Sequence, residues 1–298
     1  MMAHEFGLVR RILKECSGLN LGEDKQDMLE GKLRPLLREF NLPTLSHLVL
    51  AMMKPDAHEL RSRVAQAATV QESYFFRDKA PFHYFADVML PTLMAKREAE
   101  RRIRIWCAAA AAGQEPYSLA MELAECNGKL LGWTVEIVAT DFVEDALNRA
   151  RRGLYSQFEV QRGLPVSFLV KYFKKVENGW EISQDIRRRV KFRTHNLLDD
   201  SQTLGMFDVI FCRNVMIYFD EATKRAVLAR LAAQLAPDGY LVLGAAETAT
   251  GISHEFIPVQ ESLHGVFQFT PQAAAAAEAR WHKAAPDAVR PVYASIPR

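Results

Sequence analysis

Apolar residues recur every three or four positions along residues 5–68. Phe6, Val9 and Ile12 show the spacing in the first stretch, and turn-forming residues such as Ser17-Gly18 interrupt it. This spacing places apolar side chains on one face of an α-helix, and that face must be covered by a neighbouring helix. Residues 1–68 are therefore predicted to form a small all-α domain of about four short helices.

Aromatic residues crowd around a single arginine in the next segment, TVQESYFFRDKAPFHYF, which covers residues 69–85. Most of these rings are expected to be core residues at a domain junction. Arg77 is the exception, because a charged side chain is costly to bury in such apolar surroundings unless it has a partner. Residues 69–95 are predicted to contain the interdomain linker and the first helix of the next domain.

From about residue 96 onward, short β-rich runs alternate with helical stretches. IRIWCAA is followed by EPYSLAMELAEC, and TVEIVATD is followed by VEDALNRARRG. FDVIFCRN and GYLVLGAAE then flank a further helical stretch. Parallel strands joined by crossover helices have this order. Residues 96–270 are therefore predicted to form an α/β domain.

Two segments depart from this alternation. The runs KKVENGWEIS and RRRVKFRTHN resemble short antiparallel strands around an Asn178-Gly179 turn, so a small antiparallel β-subdomain is predicted at about residues 174–193. The last segment, residues 271–298, contains alanine, proline and charged residues with little to bury, and it is predicted to be a flexible tail.

The composition narrows the classes of function. The 298 residues carry 38 Lys and Arg against 36 Asp and Glu, and a net charge of +2 gives no support for a nucleic-acid partner. The four cysteines and eight histidines show no metal-ligand spacing, so reduced thiols and no metal site are predicted. Without a signal-like N-terminus or an apolar run of about 18 residues, we expect a cytoplasmic protein with no direct membrane insertion. Nothing in the sequence demands more than a monomer.

The ligand of an open α/β sheet binds beyond the carboxyl ends of the strands. The first such end is the loop CAAAAAGQEPYS, in which Gly113 is the only glycine. The second strand ends in Asp141, where a carboxylate can bind both hydroxyls of a ribose or, alternatively, cap the helix that follows. The GxGxxG spacing that binds a pyrophosphate is absent, which favours a nucleoside without phosphates.

Four separated segments are more specific than this loop alone. They are QESYFFRD at 71–78, IRIWCAAAAAGQEPYSLAM at 103–121, ATD with ALNRARRGLY within 139–155, and FDVIFCRNVMIYFD at 207–220. These segments resemble the CheR-type chemoreceptor glutamate methyltransferases, and the similarity extends over most of the chain.

The resemblance implies a Rossmann-like class I S-adenosylmethionine-dependent methyltransferase domain with a small antiparallel β-subdomain, preceded by an all-α domain. The implied reaction transfers a methyl group from S-adenosylmethionine to glutamate side chains on the cytoplasmic helical domain of chemoreceptors. The methyl esters formed would set sensory adaptation.

Carried onto this sequence, the resemblance also implies a set of site residues. The cofactor site would contain Gln71, Ser73, Arg77, Ala108, Gly113, Glu115, Asp141, Asn196, Leu197, Arg213 and Asn214. Glu115 would hold the methionine ammonium of the cofactor and Asp141 its ribose. Asn196-Leu197 and Arg213-Asn214 would contact the adenine and the edge beside it. Arg77 and Tyr218 would lie closest to the methyl group and act as the catalytic residues.

The chain departs from the family in the loop after the first strand. Where the family has Ala-Gly-Cys-Ser-Thr-Gly, this sequence has five alanines followed by a glycine at positions 108–113. If residue 109 needs a positive φ, alanine costs about 1–2 kcal/mol relative to glycine, which would weaken cofactor binding about tenfold. We expect activity to survive.

Basic residues on the second helix form a candidate receptor-binding surface, namely Lys32, Arg34 and Arg38. A charged helix face is also commonly just solvated surface. The predicted hairpin is short for binding a receptor's C-terminal peptide, so recognition without that tether is favoured. Two other functions stay open, a catalytically silent receptor-binding module and methylation of another substrate, although the Asn/Asp-Pro-Pro-Tyr motif of many nucleic-acid methyltransferases is absent.

Overall fold

The computed structural model describes residues 1–126, 128–259 and 265–284. The first domain is all helical, as predicted, and contains α1 (Ala3–Ser17), α2 (Gln26–Glu39), α3 (Leu45–Met52) and α4 (His58–Ala68). Val9, one of the apolar positions that predicted the helices, is fully buried together with Leu13, Leu29 and Leu48. The four helices therefore share one core of their own.

The linker packs against the second domain. It leads into a continuous helical stretch formed by α5 (Ala80–Tyr84), a π-helical turn (Phe85–Met89) and α6 (Leu90–Lys96). Phe75, Phe82 and Phe85 are fully buried in the core of the second domain, and the backbone N–H of Phe76 donates to the Ser118 hydroxyl. The aromatic crowding in the sequence therefore fixes the linker to the second domain.

The second domain is built on a mixed, mostly parallel seven-stranded sheet in the order β6-β2-β1-β7-β8-β10-β9. Its strands are β1 (Arg102–Ala108), β2 (Thr134–Asp141), β6 (Val190–Thr194), β7 (Phe207–Cys212), β8 (Leu235–Leu243), β9 (Phe256–Pro258) and β10 (Val266–Phe269). β10 pairs antiparallel with both β8 and β9, whereas the other pairs are parallel. The helices α7 (Gln114–Glu125), α8 (Glu144–Arg152) and α12 (Glu221–Gln234) follow β1, β2 and β7.

Alternating side chains of β1 enter two separate cores. Ile105 and Cys107 belong to one apolar cluster, and Trp106 and Ala108 belong to another. Successive residues of a strand point to opposite faces, so the sheet is covered on both sides. At its carboxyl end, Ala108 is in register with Thr140 of β2 and Cys212 of β7. The loops that follow these three strands therefore begin side by side.

The antiparallel subdomain exists, but its predicted bounds were wrong. It is a three-stranded sheet in the order β3-β5-β4, made of β3 (Leu154–Tyr155), β4 (Phe173–Val176) and β5 (Gly179–Ile182). The short helices α9 (Gln157–Gln161) and α10 (Val166–Tyr172) lie between β3 and β4, and α11 (Gln184–Arg187) follows β5. The run VKFRT is β6, a parallel edge strand of the main sheet. Buried and exposed side chains alternate in the same way along an edge strand and along a strand of a hairpin. Only the pairing of VKFRT with β2 shows which of the two it is.

The expectation of a flexible tail from residue 271 was also wrong over its first half. Pro271–Ala284 forms α13, which packs on β8, and Ala277 is fully buried. The Arg280 guanidinium donates to the Ala232 carbonyl, and the Trp281 ring lies 5.3 Å from the Arg97 guanidinium. Alanine side chains are short enough to let a helix sit close against the sheet. Residues 285–298 lie outside the described residues.

Candidate cofactor cleft

A cleft of about 910 Å³, including its open mouth, lies at the carboxyl ends of β1, β2 and β7. Ten of the predicted site residues line it, namely Gln71, Ser73, Arg77, Glu115, Asp141, Asn196, Leu197, Arg213, Asn214 and Tyr218. The linker, the strand ends and the loop after β7 therefore meet at one place.

Asp141 lines the cleft and is 4% exposed. Its two oxygens accept hydrogen bonds at 2.8 Å from the backbone N–H groups of Ala111 and Val143. Burial raises the pKa of Asp141, while the N–H groups of Val143 and Ala111 act against that rise. The carboxylate thus connects the loop after β1 to the start of α8. Asp141 can therefore support the start of α8 and also face a ligand in the cleft, so the two roles considered for it do not exclude each other.

The alanine loop adopts the backbone shape that favours glycine. Ala109 has φ 61° and Ala111 has φ 47°, both in the left-handed region. An L-residue is strained there by about 1–2 kcal/mol. Residue 109 therefore has the positive φ for which a cost of alanine relative to glycine is predicted from the sequence. Residue 111 has a positive φ as well. This conformation lets the Ala111 N–H point at Asp141.

Two residues predicted to bind the cofactor do not line the cleft. Ala108 is the fully buried last residue of β1 and belongs to the apolar core. Gly113 has φ 89° and immediately precedes α7, and an added Cβ there would lie 2.8 Å from the Cβ of Ala150. Both positions keep side-chain volume away from a crowded strand-to-helix turn. They support the loop through packing.

A buried arginine, Arg213, holds two acidic side chains beside the cleft, Glu115 and Asp78. The Arg213 guanidinium, whose side chain is 1% exposed, bonds Glu115 at 2.9 Å and Asp78 at 2.7 Å. It also donates to the Arg77 carbonyl at 2.8 Å. Burial raises the pKa of Glu115, and the neighbouring Arg213 charge opposes this rise. Arg213, which is predicted to lie at the adenine edge, lines the cleft, and its side chain also ties the linker to Glu115.

Asn196 is held by a different part of the chain. Its amide nitrogen donates to the Cys16 carbonyl at the end of α1, and its oxygen accepts from the Leu198 N–H. His195 beside it pairs with the Ser201 hydroxyl, and burial lowers the pKa of the imidazole. The wall near Asn196 therefore includes the first domain.

Several lining residues were not predicted from the sequence. They are Ser17, Leu19, Thr69, Val70, Glu72, Ala109, Ala111, Phe142, His195, Val215 and Phe219. Ser17 and Leu19 carried no sequence signal, because they are distant in the chain from every other lining residue. Ala109, Ala111, Glu72, Val215 and Phe219 lie inside the motif segments.

Glu247 was also missed, and it shapes the cleft without lining it. Its Oε2 accepts from the N–H groups of Asn214 and Gly244, each at 2.7 Å, and its Oε1 accepts from the Ile217 N–H at 3.2 Å. Asn214 has φ 60°, and Tyr218 ends a short 3-10 turn that begins at Met216. One buried carboxylate thus sets the path of the loop after β7.

The candidate receptor surface is smaller than predicted. Arg34 and Arg38 are exposed on α2. Lys32 is half-buried, and its ammonium donates to the carbonyls of Ala68 and Thr69 at 2.9 and 2.7 Å. Lysine side chains commonly satisfy the last carbonyls of a helix in this way. Lys32 therefore ties α2 to the end of α4 and does not belong to a free basic face.

Comparison with known proteins places this site in a family. The model of the CheR methyltransferase SAM-binding domain matches residues 71–264, and that of the CheR methyltransferase all-alpha domain matches residues 4–67. The chain belongs to the CheR methyltransferase family. It is 39% identical over 249 residues to chemotaxis protein methyltransferase 1 of Vibrio cholerae, covering 83% of this chain and 90% of the relative. It is 39% identical over 260 residues to chemotaxis protein methyltransferase 1 of Pseudomonas aeruginosa, with 86% and 94% covered.

As a CheR methyltransferase, the protein uses S-adenosylmethionine as its cofactor. The cleft suits that molecule, because the carboxylates of Glu115 and Asp141 offer acceptors for an ammonium group and for ribose hydroxyls. Arg213 Nε is buried and has no hydrogen-bond partner in the described part of the chain, so a donor is also available. Among the described residues, no group of three or more His, Cys, Asp and Glu side chains could hold a metal, and no helix is long and apolar enough to cross a membrane.

Proposed function

We propose that the protein transfers the methyl group of S-adenosylmethionine to glutamate side chains on the cytoplasmic helical domain of chemoreceptors. The products would be glutamate methyl esters, which remove negative charge from the receptor helices and so set sensory adaptation. The observation that carries this proposal is the convergence of Arg77 and Tyr218 with the acidic pair Glu115 and Asp141 in one cleft. We expect the enzyme to act as a monomer in the cytoplasm.

The acidic residues would hold the cofactor. Glu115 would bind the methionine ammonium, Asp141 the ribose, and Asn196-Leu197 with Asn214 the adenine. Gln71 and Ser73 would contact the cofactor from the linker. When bound, S-adenosylmethionine supplies a methyl group on a positively charged sulfur. The neighbouring Arg213 keeps Glu115 oriented, since it bonds the same carboxylate at 2.9 Å.

The protein needs to supply orientation more than acid or base catalysis. A glutamate carboxylate is ionised at neutral pH, so no general base is required, and in-line displacement depends on alignment. Burial raises the pKa of Tyr218, so its phenol stays protonated and can donate a hydrogen bond. Arg77 lies in the same cleft, stacked 5.4 Å from the Tyr74 ring. We propose that Tyr218 and Arg77 orient the substrate carboxylate.

The all-α domain would present the receptor-binding surface. Arg34 and Arg38 are exposed on α2 and could pair with the acidic side chains that surround methylation sites. Such contacts mainly guide association and register, and they weaken as salt rises. Replacing both arginines should therefore raise KM for the receptor and leave cofactor affinity unchanged.

The decisive test uses methyl-labelled S-adenosylmethionine and a purified chemoreceptor cytoplasmic fragment. We expect label to enter the fragment and to be released as methanol by alkali, because esters are alkali-labile and N-methyl groups are not. A fragment with its candidate glutamates changed to alanine serves as the control and should stay unlabelled. Label that resists alkali would indicate another substrate group.

Calorimetric titration with S-adenosylhomocysteine separates the remaining alternatives. Binding by the wild-type protein without methylation of any receptor fragment would favour a silent receptor-binding module. Absence of binding in a folded protein would contradict the enzyme proposal itself. Asp141→Ala should lose measurable affinity, since it removes the proposed ribose contact and the anchor of the Ala111 N–H.

A further inference from the structure

The end of α1 forms part of the wall of the cofactor cleft, although it belongs to the all-α domain. Ser17 and Leu19 line the cleft, and both are buried. The Tyr218 ring packs against the core of the all-α domain. The residue proposed to orient the substrate is thus supported by the first domain as well as by its own loop.

Two hydrogen bonds connect this segment to proposed site residues. The Asn20 backbone N–H donates to the Tyr218 carbonyl at 2.9 Å. The Asn196 side-chain amide donates to the Cys16 carbonyl at 2.7 Å. Neither contact uses a side chain of the all-α domain, so the backbone path of residues 16–20 determines both.

Glycine at position 18 makes this close approach possible. Gly18 has φ 75°, and an added Cβ would lie 2.9 Å from Thr223 Cγ2 and 3.0 Å from Phe219 Cε1. Real Cβ atoms do not approach side chains this closely without a shift. Phe219 follows Tyr218 directly, so any shift here is passed to the proposed catalytic loop.

An ion pair holds the same contact from the side. Lys14 Nζ lies 2.6 Å from Asp220 Oδ2, while the other oxygen of Asp220 accepts from the Thr223 N–H at the start of α12. Lys14 is half exposed, so this pair adds little stability by itself. Asp220 is nevertheless only two residues after Tyr218, so the ion pair adds a further contact between α1 and the loop that contains Tyr218.

We propose that the segment Cys16–Asn20 is a positioning element for methyl transfer, which sets the place of Tyr218 and of the Asn196 side chain. The inference deepens the proposed function and rests on it, because it assumes that Tyr218 orients the substrate. The all-α domain then has two tasks, receptor contact through α2 and alignment of the active site through the end of α1.

The test compares Gly18→Ala with Gly251→Ala in the full-length protein. Gly251 has φ 79°, and a Cβ added there would meet no atom of the described residues within 4 Å, so its variant carries the same backbone strain without the collision. We expect Gly18→Ala to lower kcat at least about tenfold and to weaken S-adenosylhomocysteine binding, because small misplacements of aligned groups are costly. KM for the receptor fragment should hardly change. Gly251→Ala should retain wild-type values.

A double variant distinguishes positioning from general loosening. If Gly18 acts through Tyr218, Gly18→Ala should lower kcat much less in a Tyr218→Phe background than in the wild type. Losses that multiply independently would overturn the proposal, and so would Gly18→Ala kinetics equal to those of Gly251→Ala. A wild type that fails to methylate the fragment would instead overturn the proposed function.

If Gly18→Ala does not fold, Lys14→Gln is the variant that tests the same proposal. This exposed substitution loosens the same contact, and we expect a smaller fall in kcat with an unchanged receptor KM. The fall should again be reduced in the Tyr218→Phe background. Unchanged kcat in Lys14→Gln, with Gly18→Ala unfolded, would count against the proposal.

Discussion

Two alanines after β1 hold backbone conformations that alanine rarely adopts. Ala109 and Ala111 both have positive φ, and the Ala111 N–H bonds a carboxylate of the cofactor cleft. The surrounding structure must hold this strain in place, since an unconstrained alanine would leave the left-handed region. The loop therefore stores a small amount of free energy that glycine would release.

Ala109→Gly should raise the free energy of unfolding by about 0.5–1 kcal/mol. The strain relieved is about 1–2 kcal/mol, and the greater freedom of glycine in the unfolded chain offsets part of it. Ala112→Gly is the matched control, because Ala112 is in the same loop with no positive φ, and it should lower the free energy of unfolding. Urea denaturation of the three proteins measures both. A less stable Ala109→Gly protein would contradict the strain argument.

Tyr218→Phe should lower kcat about 10- to 100-fold and leave S-adenosylhomocysteine affinity nearly unchanged. A hydrogen bond to a charged group contributes about 1.5–3 kcal/mol, and here it would act on the reacting carboxylate. Tyr84→Phe, outside the cleft, is the control and should keep full activity. Steady-state methylation of a receptor fragment measures kcat. Unchanged turnover in Tyr218→Phe would remove the phenol from this role.

At the scale of elements, the site depends on how the loops after β1, β2 and β7 support one another. Asp141 connects the first two loops through the N–H groups of Ala111 and Val143. Glu247, which follows β8, fixes the third by accepting from Asn214 and Ile217. Arg213 then ties that loop to the linker through Asp78. Each acidic residue closes a contact between elements that are distant in sequence.

Glu247→Gln should weaken cofactor binding and lower kcat together. An amide nitrogen would replace one carboxylate oxygen and face backbone N–H donors, leaving buried groups unpaired at a cost of about 1–3 kcal/mol. Both Asn214 and Tyr218 belong to the loop that Glu247 holds, so both steps should suffer. Glu98→Gln, on an exposed residue, is the control. Calorimetry and methylation kinetics supply the two readouts, and wild-type values in both would show that the loop holds its shape without Glu247.

At the scale of the whole molecule, charged groups at the sheet edge influence stability against acid. Glu136 on β2 accepts from Arg104 of β1 and Lys191 of β6, each at 2.7 Å. Burial alone would raise the pKa of Glu136, but these hydrogen bonds outweigh it and lower the pKa to about 2. The ionised carboxylate therefore holds three strands together.

This predicts a pH dependence that Glu136→Gln should remove. Because the folded pKa is depressed, the stabilising contribution is complete above the ordinary value of a glutamate and is lost as pH falls toward about 2. The wild type should be more stable than the variant near neutral pH, and the difference should shrink below pH of about 4. Denaturation curves across this range measure it. A constant difference would mean that Glu136 contributes through shape and not through charge.

Much of the architecture could be predicted because it depends on local periodicity. Spacing of three and four gave the all-α domain, and alternating apolar runs gave the parallel sheet. The subdomain bounds could not be obtained in this way, since VKFRT pairs with β2 across more than forty residues of intervening chain. Helix α13 was missed because the short side chains of an alanine run gain burial only when a sheet is already in place.

The sequence by itself determined the cofactor class and most of the cleft, because Glu115, Asp141 and the loop after β7 lie in motifs at the ends of adjacent strands. The tertiary structure alone decided which residues meet at the cleft. Ala108 and Gly113 do not line the cleft, Lys32 bonds the end of α4, and the end of α1 forms part of the cleft wall. The physical reason is that periodicity and motifs report each residue's local environment. Contacts between segments far apart in the chain depend on how the two domains pack.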